Sequence, residues 1–141
     1  MTPAPFDYRR AETREAALET LAEHGDDAVV LAGGQSLVPM LAMRLARPSV
    51  IVDITGLLDL DCMVSDGDAV RLGALLSHRF LERDPAVARD LPLLAAAATW
   101  VATPAIRNAG TLGGALALGD PAAEYPAVAM ALDAQMRVAS R

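Results

Sequence analysis

The sequence predicts an α/β fold in two parts, residues 1–55 and 56–141. Three observations carry that prediction. Two continuous apolar runs, AVVLA at 28–32 and VIVDI at 50–54, read as strands covered on both faces. An amphipathic stretch at 13–24 lies before the first of them and reads as a helix. After Gly56 the pattern changes to short alternating segments, 62–65 and 68–73, split by Asp66-Gly67, a two-residue hairpin signal.

The elements follow in order. Residues 6–9 alternate weakly and form a short strand. In the helix at 13–24, Ala17, Leu18, Leu21 and Ala22 share one side, Arg14, Glu15, Glu19 and Glu23 the other, and Gly25 stops it. Residues 37–45 are helical, leading to the strand at 50–54. The first part therefore reads as strand, helix, strand, helix, strand, with a right-handed crossover. In the second part the hairpin makes the sheet at least partly antiparallel. Ser77-His78 marks a helix start. Asp84-Pro85 and Asp90-Leu91-Pro92 each place an acidic cap before a proline in a first helical turn. Residues 92–101 are an alanine-rich helix, Asp120-Pro121 opens another that reaches Asp133, and 135–139 is a last strand. A strand in that position leaves an open edge, so the second part reads as incomplete.

Composition removes whole classes of chemistry. The 141 residues hold 12 basic and 18 acidic side chains, for a net charge of −6. Every basic residue is an arginine, so no P-loop, Schiff-base or general-base lysine exists. The acidic balance argues against nucleic acid. One cysteine, Cys62, and two distant histidines, His24 and His78, exclude an internal disulfide, a four-thiolate iron–sulfur cluster and a structural zinc site. Redox chemistry would have to come from an organic cofactor or a partner. The longest apolar reach, 91–106, is shorter than the roughly 20 residues of a membrane span. With no targeting signal at the start, the chain reads as cytoplasmic.

Two glycine turns draw attention. Ala32-Gly33-Gly34-Gln35-Ser36 follows a buried strand and precedes a helix, with Ser36 as N-cap and Pro39 in the first turn. Free amides there suit a phosphate or pyrophosphate without any lysine, while the structural reading is a tight corner and no more. Gly110-Thr111-Leu112-Gly113-Gly114-Ala115 is the second. Neither fits G-x-G-x-x-G or the P-loop, but two such turns facing each other suit a clasp on an extended diphosphate. Asp120 reads as a helix cap, Arg107 as a structural pair before a phosphate contact, and Trp100 and Tyr125 as core aromatics. His78 is assigned no chemistry. Gly34-Gln35-Ser36-Leu37-Val38 begins like a nucleophile elbow but lacks its last glycine, and no histidine is placed near Ser36.

The segments AGGQSLVPML at 32–41 and TPAIRNAGTLGGALALGDPAAEYPAVAMALDA at 103–134 closely resemble the FAD-binding medium subunit of molybdenum hydroxylases, the carbon monoxide dehydrogenase and xanthine dehydrogenase type. FDYRRA at the start and DITGL at 53–57 extend the resemblance over nearly the whole chain. It implies a two-subdomain FAD-binding fold of the PCMH, vanillyl-alcohol-oxidase-like type. It implies that Ala32, Gly33, Gly34, Gln35, Ser36 and Leu37, with Thr111, Leu112, Gly113, Gly114 and Ala115, surround FAD. Val101 matches a position near the flavin and Glu124 an acidic position at the cofactor. It also implies two partners: a large molybdopterin-binding subunit and a small subunit with two [2Fe–2S] clusters. Electrons would pass from those clusters through FAD to an external acceptor. Family members continue well past residue 141, so the chain reads as a truncated product, a fragment or one half of a split subunit. The alternative expectation is a non-catalytic remnant or interaction module that binds no flavin alone.

Overall fold

The computed structural model describes residues 2–140. The chain divides into two compact units, one made of the residues up to Leu58 with those from Arg137 onward, the other Asp59–Met136.

The first unit is built on three parallel strands: β1 (Asp7–Arg10), β2 (Ala28–Leu31) and β3 (Val50–Asp53), in the order β1-β3-β2. Asp7 and Ala28 both lie opposite Val50, and Arg10 and Leu31 both lie opposite Asp53. Helix α1 (Arg14–His24) packs Ala17 and Leu21 against Val50, Val52, Ala28 and Ile54. Thr13 caps it, its Oγ1 accepting from the Ala16 amide at 3.1 Å. All four residues of β3 are buried. The expectation that β2 is covered on both faces does not hold, because Val30 is exposed and its three neighbours in the strand are only half-buried. Helix α2 (Leu37–Ala42) ends sooner than the apolar pattern suggests. The amides of Leu45 and Ala46 both fold back onto the Met40 carbonyl, and Arg44 takes a positive φ of 57°.

The second unit opens with an antiparallel hairpin, β4 (Met63–Asp66) and β5 (Ala69–Leu72), with Asp66 opposite Ala69. The two loop residues are therefore Gly67-Asp68, one position later than the Asp-Gly signal suggests. Six short helices follow: α3 (His78–Arg83), α4 (Pro85–Asp90), α5 (Pro92–Ala98), α6 (Pro104–Ala109), α7 (Leu112–Leu118) and α8 (Glu124–Ala131). Such short helices are not stable alone, so packing holds them. The apolar centre is Leu76, Leu81, Val87, Leu94, Ala95, Ala98, Leu112, Tyr125 and Val128. Each large side chain there contributes about 1.5–3 kcal/mol by leaving water.

Several expectations for this unit are corrected. Asp84 caps α4 through the amides of Ala86 and Val87, but Asp90 does not cap α5. The Asp90 carboxylate is taken instead by Arg89 and by the Ser65 hydroxyl. Asp120 closes a local turn onto the Ala122 amide, and α8 begins only at Glu124. Residues 135–139 form no strand. Trp100 is 79% exposed and packs in no core, whereas Tyr125 is 2% exposed and does.

Candidate functional site

The first glycine turn leaves the end of β2, and it keeps its donors free. Among the described residues, the amides of Gly33, Gly34, Gln35, Ser36 and Leu37 have no backbone or side-chain acceptor. Gly34 takes a φ of +70°, which glycine adopts at no steric cost. A Cβ there would stand 3.2 Å from Val38 Cγ2 and 3.3 Å from Leu31 Cδ1. Ser36 is not the N-cap by side chain: its own backbone is already helical and its hydroxyl accepts no amide of the helix. Gln35 instead donates to the Gly33 carbonyl at 3.2 Å. No positive side chain belongs to the turn, so any anion here would be met by main-chain N–H groups and by the entry of α2.

The second glycine stretch is built differently. Thr111 is the cap of α7, accepting from the Gly114 amide at 3.2 Å, and Gly113 and Gly114 lie inside the first helical turn. The Leu112 amide donates to the Leu76 carbonyl at 2.9 Å, Gly113 to Ala74 at 2.8 Å and Ala115 to Thr111 at 3.0 Å. The idea that both turns offer unhindered amides therefore fails at 112–115. What this stretch presents to solvent is the surface of Gly114, beside half-buried Gly113 and Ala115. Gly113 is glycine for a packing reason, since a Cβ there would meet Ala74 Cβ at 2.5 Å.

Four further residues of this unit are brought near that stretch. Val101 packs on the same apolar cluster as Leu112 and Ala115. His78 donates its amide to the Gly110 carbonyl at 3.0 Å and sets its ring against Tyr125, with centroids 5.2 Å apart. Glu124 precedes Tyr125 at the start of α8. His78 is buried, and its Nδ1 and the Tyr125 hydroxyl have no hydrogen-bond partner among the described residues. Burial holds the His78 pKa below its ordinary value, with Glu124 opposing and Arg107 adding to the effect. Burial likewise raises the Tyr125 phenol, helped by the Glu124 charge.

Arg107 is the structural pair that its sequence position suggests. Only 8% exposed, it binds Glu82 on α3 through Nε at 3.1 Å and donates from Nη1 to the carbonyls of Val101 and Ala102. Partial burial acts to raise the Glu82 pKa, but hydrogen bonds from Arg79 and Arg107 outweigh it and the carboxyl ionises below its usual range. Sequence reasoning did not single out Glu82; a carboxylate three residues after Arg79 was the available signal. In the first unit, Asp53 at the end of β3 is buried and accepts from the Tyr8 hydroxyl and the Thr55 amide, and its pKa is likewise lowered. Among the described residues, no group of three or more His, Cys, Asp or Glu side chains is placed to hold a metal ion. No helix among them is long and apolar enough to cross a membrane.

The family model described as the FAD binding domain in molybdopterin dehydrogenase matches residues 4–141. The 6-hydroxypseudooxynicotine dehydrogenase complex subunit alpha of Paenarthrobacter nicotinovorans is 46% identical over 140 residues, covering 99% of this chain and 47% of that protein. Among solved structures, carbon monoxide dehydrogenase from Hydrogenophaga pseudoflava matches with a TM-score of 0.90 at 40% identity, over 93% of this chain and 46% of the other. Quinoline 2-oxidoreductase from Pseudomonas putida 86 matches with a TM-score of 0.86 at 39% identity, over 89% and 44%. The chain thus spans about half the length of the curated relatives it matches.

Proposed function

The chain belongs to the family of FAD-binding domains of molybdopterin dehydrogenases, and from that premise we propose that it is the flavin-holding, electron-transferring part of a molybdenum hydroxylase complex. The cofactor of the family is FAD, and the family is one of oxidoreductases. The observation that supports the reading within this chain is the set of five unengaged amides at 33–37, with Gly34 left-handed among them. Such a cradle fits a pyrophosphate, because several N–H dipoles share the charge and no side chain crowds the approach.

In this reading Ala32, Gly33, Gly34, Gln35, Ser36 and Leu37 bind the diphosphate. Thr111, Leu112, Gly113, Gly114 and Ala115 contact the cofactor by surface rather than by donated amides, since those of Leu112, Gly113, Gly114 and Ala115 are engaged. Glu124 meets hydroxyl or amino groups, where a carboxylate accepts hydrogen bonds, and not phosphate, which it would repel. Val101 excludes water beside the ring. FAD supplies the conversion between single-electron and paired-electron transfer. The partners are a molybdopterin-binding large subunit and a small subunit with [2Fe–2S] clusters, which deliver the electrons that leave for an external acceptor. The chain contributes the cofactor's seat and no catalytic side chain.

Titration of the chain with FAD, followed by flavin fluorescence, tests this. Saturable quenching at micromolar protein is expected, weakened at least tenfold by Gly34→Val. Absence of saturable binding by the parent chain would overturn the proposal.

A further inference from the structure

We infer that the buried Arg107–Glu82 pair is a positioning device that holds the Val101–Ala102 bend in shape for FAD, an inference that rests on the reading of Val101 as a neighbour of the flavin. The bend is not at rest by its own preference. Ala102 has a φ of +43°, a region that residues with a Cβ rarely occupy. Alanine brings no side-chain polar group that could compensate locally. The compensation comes from α6: Arg107 Nη1 reaches the Val101 carbonyl at 2.9 Å and the Ala102 carbonyl at 3.0 Å. One guanidinium nitrogen thus fixes two successive carbonyls and, with them, the peptide between Val101 and Ala102.

The guanidinium is itself held from the other side. Its Nε lies 3.1 Å from Glu82 Oε2 and its Nη2 3.5 Å from Oε1, and Arg79 Nη1 approaches Oε2 at 3.0 Å. A planar fork can bridge a carboxylate and two carbonyls at once, whereas an ammonium is a single point of attachment. The arrangement ties α3, α6 and the bend together, and α3 in turn carries His78, whose amide holds Gly110. Strain kept in place by surrounding bonds, next to a residue matched to the flavin, is the pattern expected of a preorganised binding loop.

The bend contains its own reporter. Trp100 is the only tryptophan, exposed, and one residue from Val101. Two variants probe the device: Arg107→Lys keeps the charge and loses the fork, and Glu82→Gln keeps the shape and loses the charge. Val87→Ala, a core change in α4 that leaves every bond of Arg107 and Glu82 in place, serves as the stability control. Three quantities are read: Trp100 fluorescence anisotropy without FAD, the FAD dissociation constant, and the thermal midpoint. Both polar variants are expected to lower Trp100 anisotropy and to weaken FAD at least tenfold. Val87→Ala is expected to lower the midpoint and change neither of the others by more than twofold. Anisotropy and affinity unchanged in both polar variants, or affinity lost equally in Val87→Ala, would overturn the inference. If the parent chain binds no FAD, the proposed function fails, and the device is then judged on Trp100 alone. Unchanged anisotropy refutes it and lowered anisotropy upholds the bond between pair and bend.

Discussion

Gly113 donates its amide to the Ala74 carbonyl at 2.8 Å, and a Cβ at position 113 would lie 2.9 Å from Ala74 Cα. The two backbones are in contact, and the glycine serves packing before it serves any ligand. Gly113→Ala should therefore destabilise the chain without FAD, by about 1–3 kcal/mol as an overpacked site. Urea unfolding of the flavin-free chain checks this, and an unchanged midpoint would refute it.

Gly34 predicts a different outcome. Its neighbours Val38 Cγ2 and Leu31 Cδ1 are side-chain tips that can yield, so the main cost of Gly34→Ala is the left-handed backbone. That cost is about 1–2 kcal/mol. Gly34→Asn should recover part of it, because asparagine tolerates that region better than alanine. Equal thermal midpoints for the two variants would count against this account.

Thr111 is the cap that starts α7. Thr111→Val keeps the branched shape and removes the acceptor of the Gly114 amide. The expected loss is about 1 kcal/mol, read from the denaturant midpoint. Thr111→Ser should retain most of the stability, since its hydroxyl can still accept.

His78 gives a pH dependence with a definite sign. Its folded pKa is lowered, so below about pH 6.5 the unfolded chain takes up a proton that the folded chain resists. Stability should fall as pH drops through that window. Glu124 and Arg107 are the charged groups that act on the ring, and they oppose each other. His78→Gln should flatten the slope of thermal midpoint against pH between 7 and about 5.5. The lowered carboxyls of Asp53 and Glu82 contribute above the ordinary carboxyl range and are lost only at more acidic pH, so the two windows separate. A parent chain whose midpoint is flat from pH 7 to 5.5 would refute the assignment.

Local signals carried much of the fold. The apolar run at 50–54 reads correctly as a buried strand, and Thr13, Ser77 and Asp84 read correctly as helix starts because each cap acts within three residues. What depends on distant packing was not legible. Asp90 fulfils every local rule for a cap, yet Arg89 and Ser65 offer its carboxylate better partners. The run at 28–32 is as apolar as 50–54, but the sheet order makes β2 an outer strand, and order is not written in a single segment. The motif at 110–115 looks like an open turn, because the acceptors that engage it, Leu76 and Ala74, lie more than thirty residues earlier in the chain. Trp100 shows the same limit: its exposure follows from how the helices pack and not from residue type.

The sheet of the first unit has one interior strand and two rims. Val50, Ile51, Val52 and Asp53 are bonded on both flanks, while β1 and β2 each have a single neighbouring strand. In deuterated water a β3 amide can exchange only when a flanking strand parts from it, whereas the outward amides of the rims have no ladder bond to hold them. Uptake of label should therefore run from the margins inward, and the last protons to leave this unit should belong to β3.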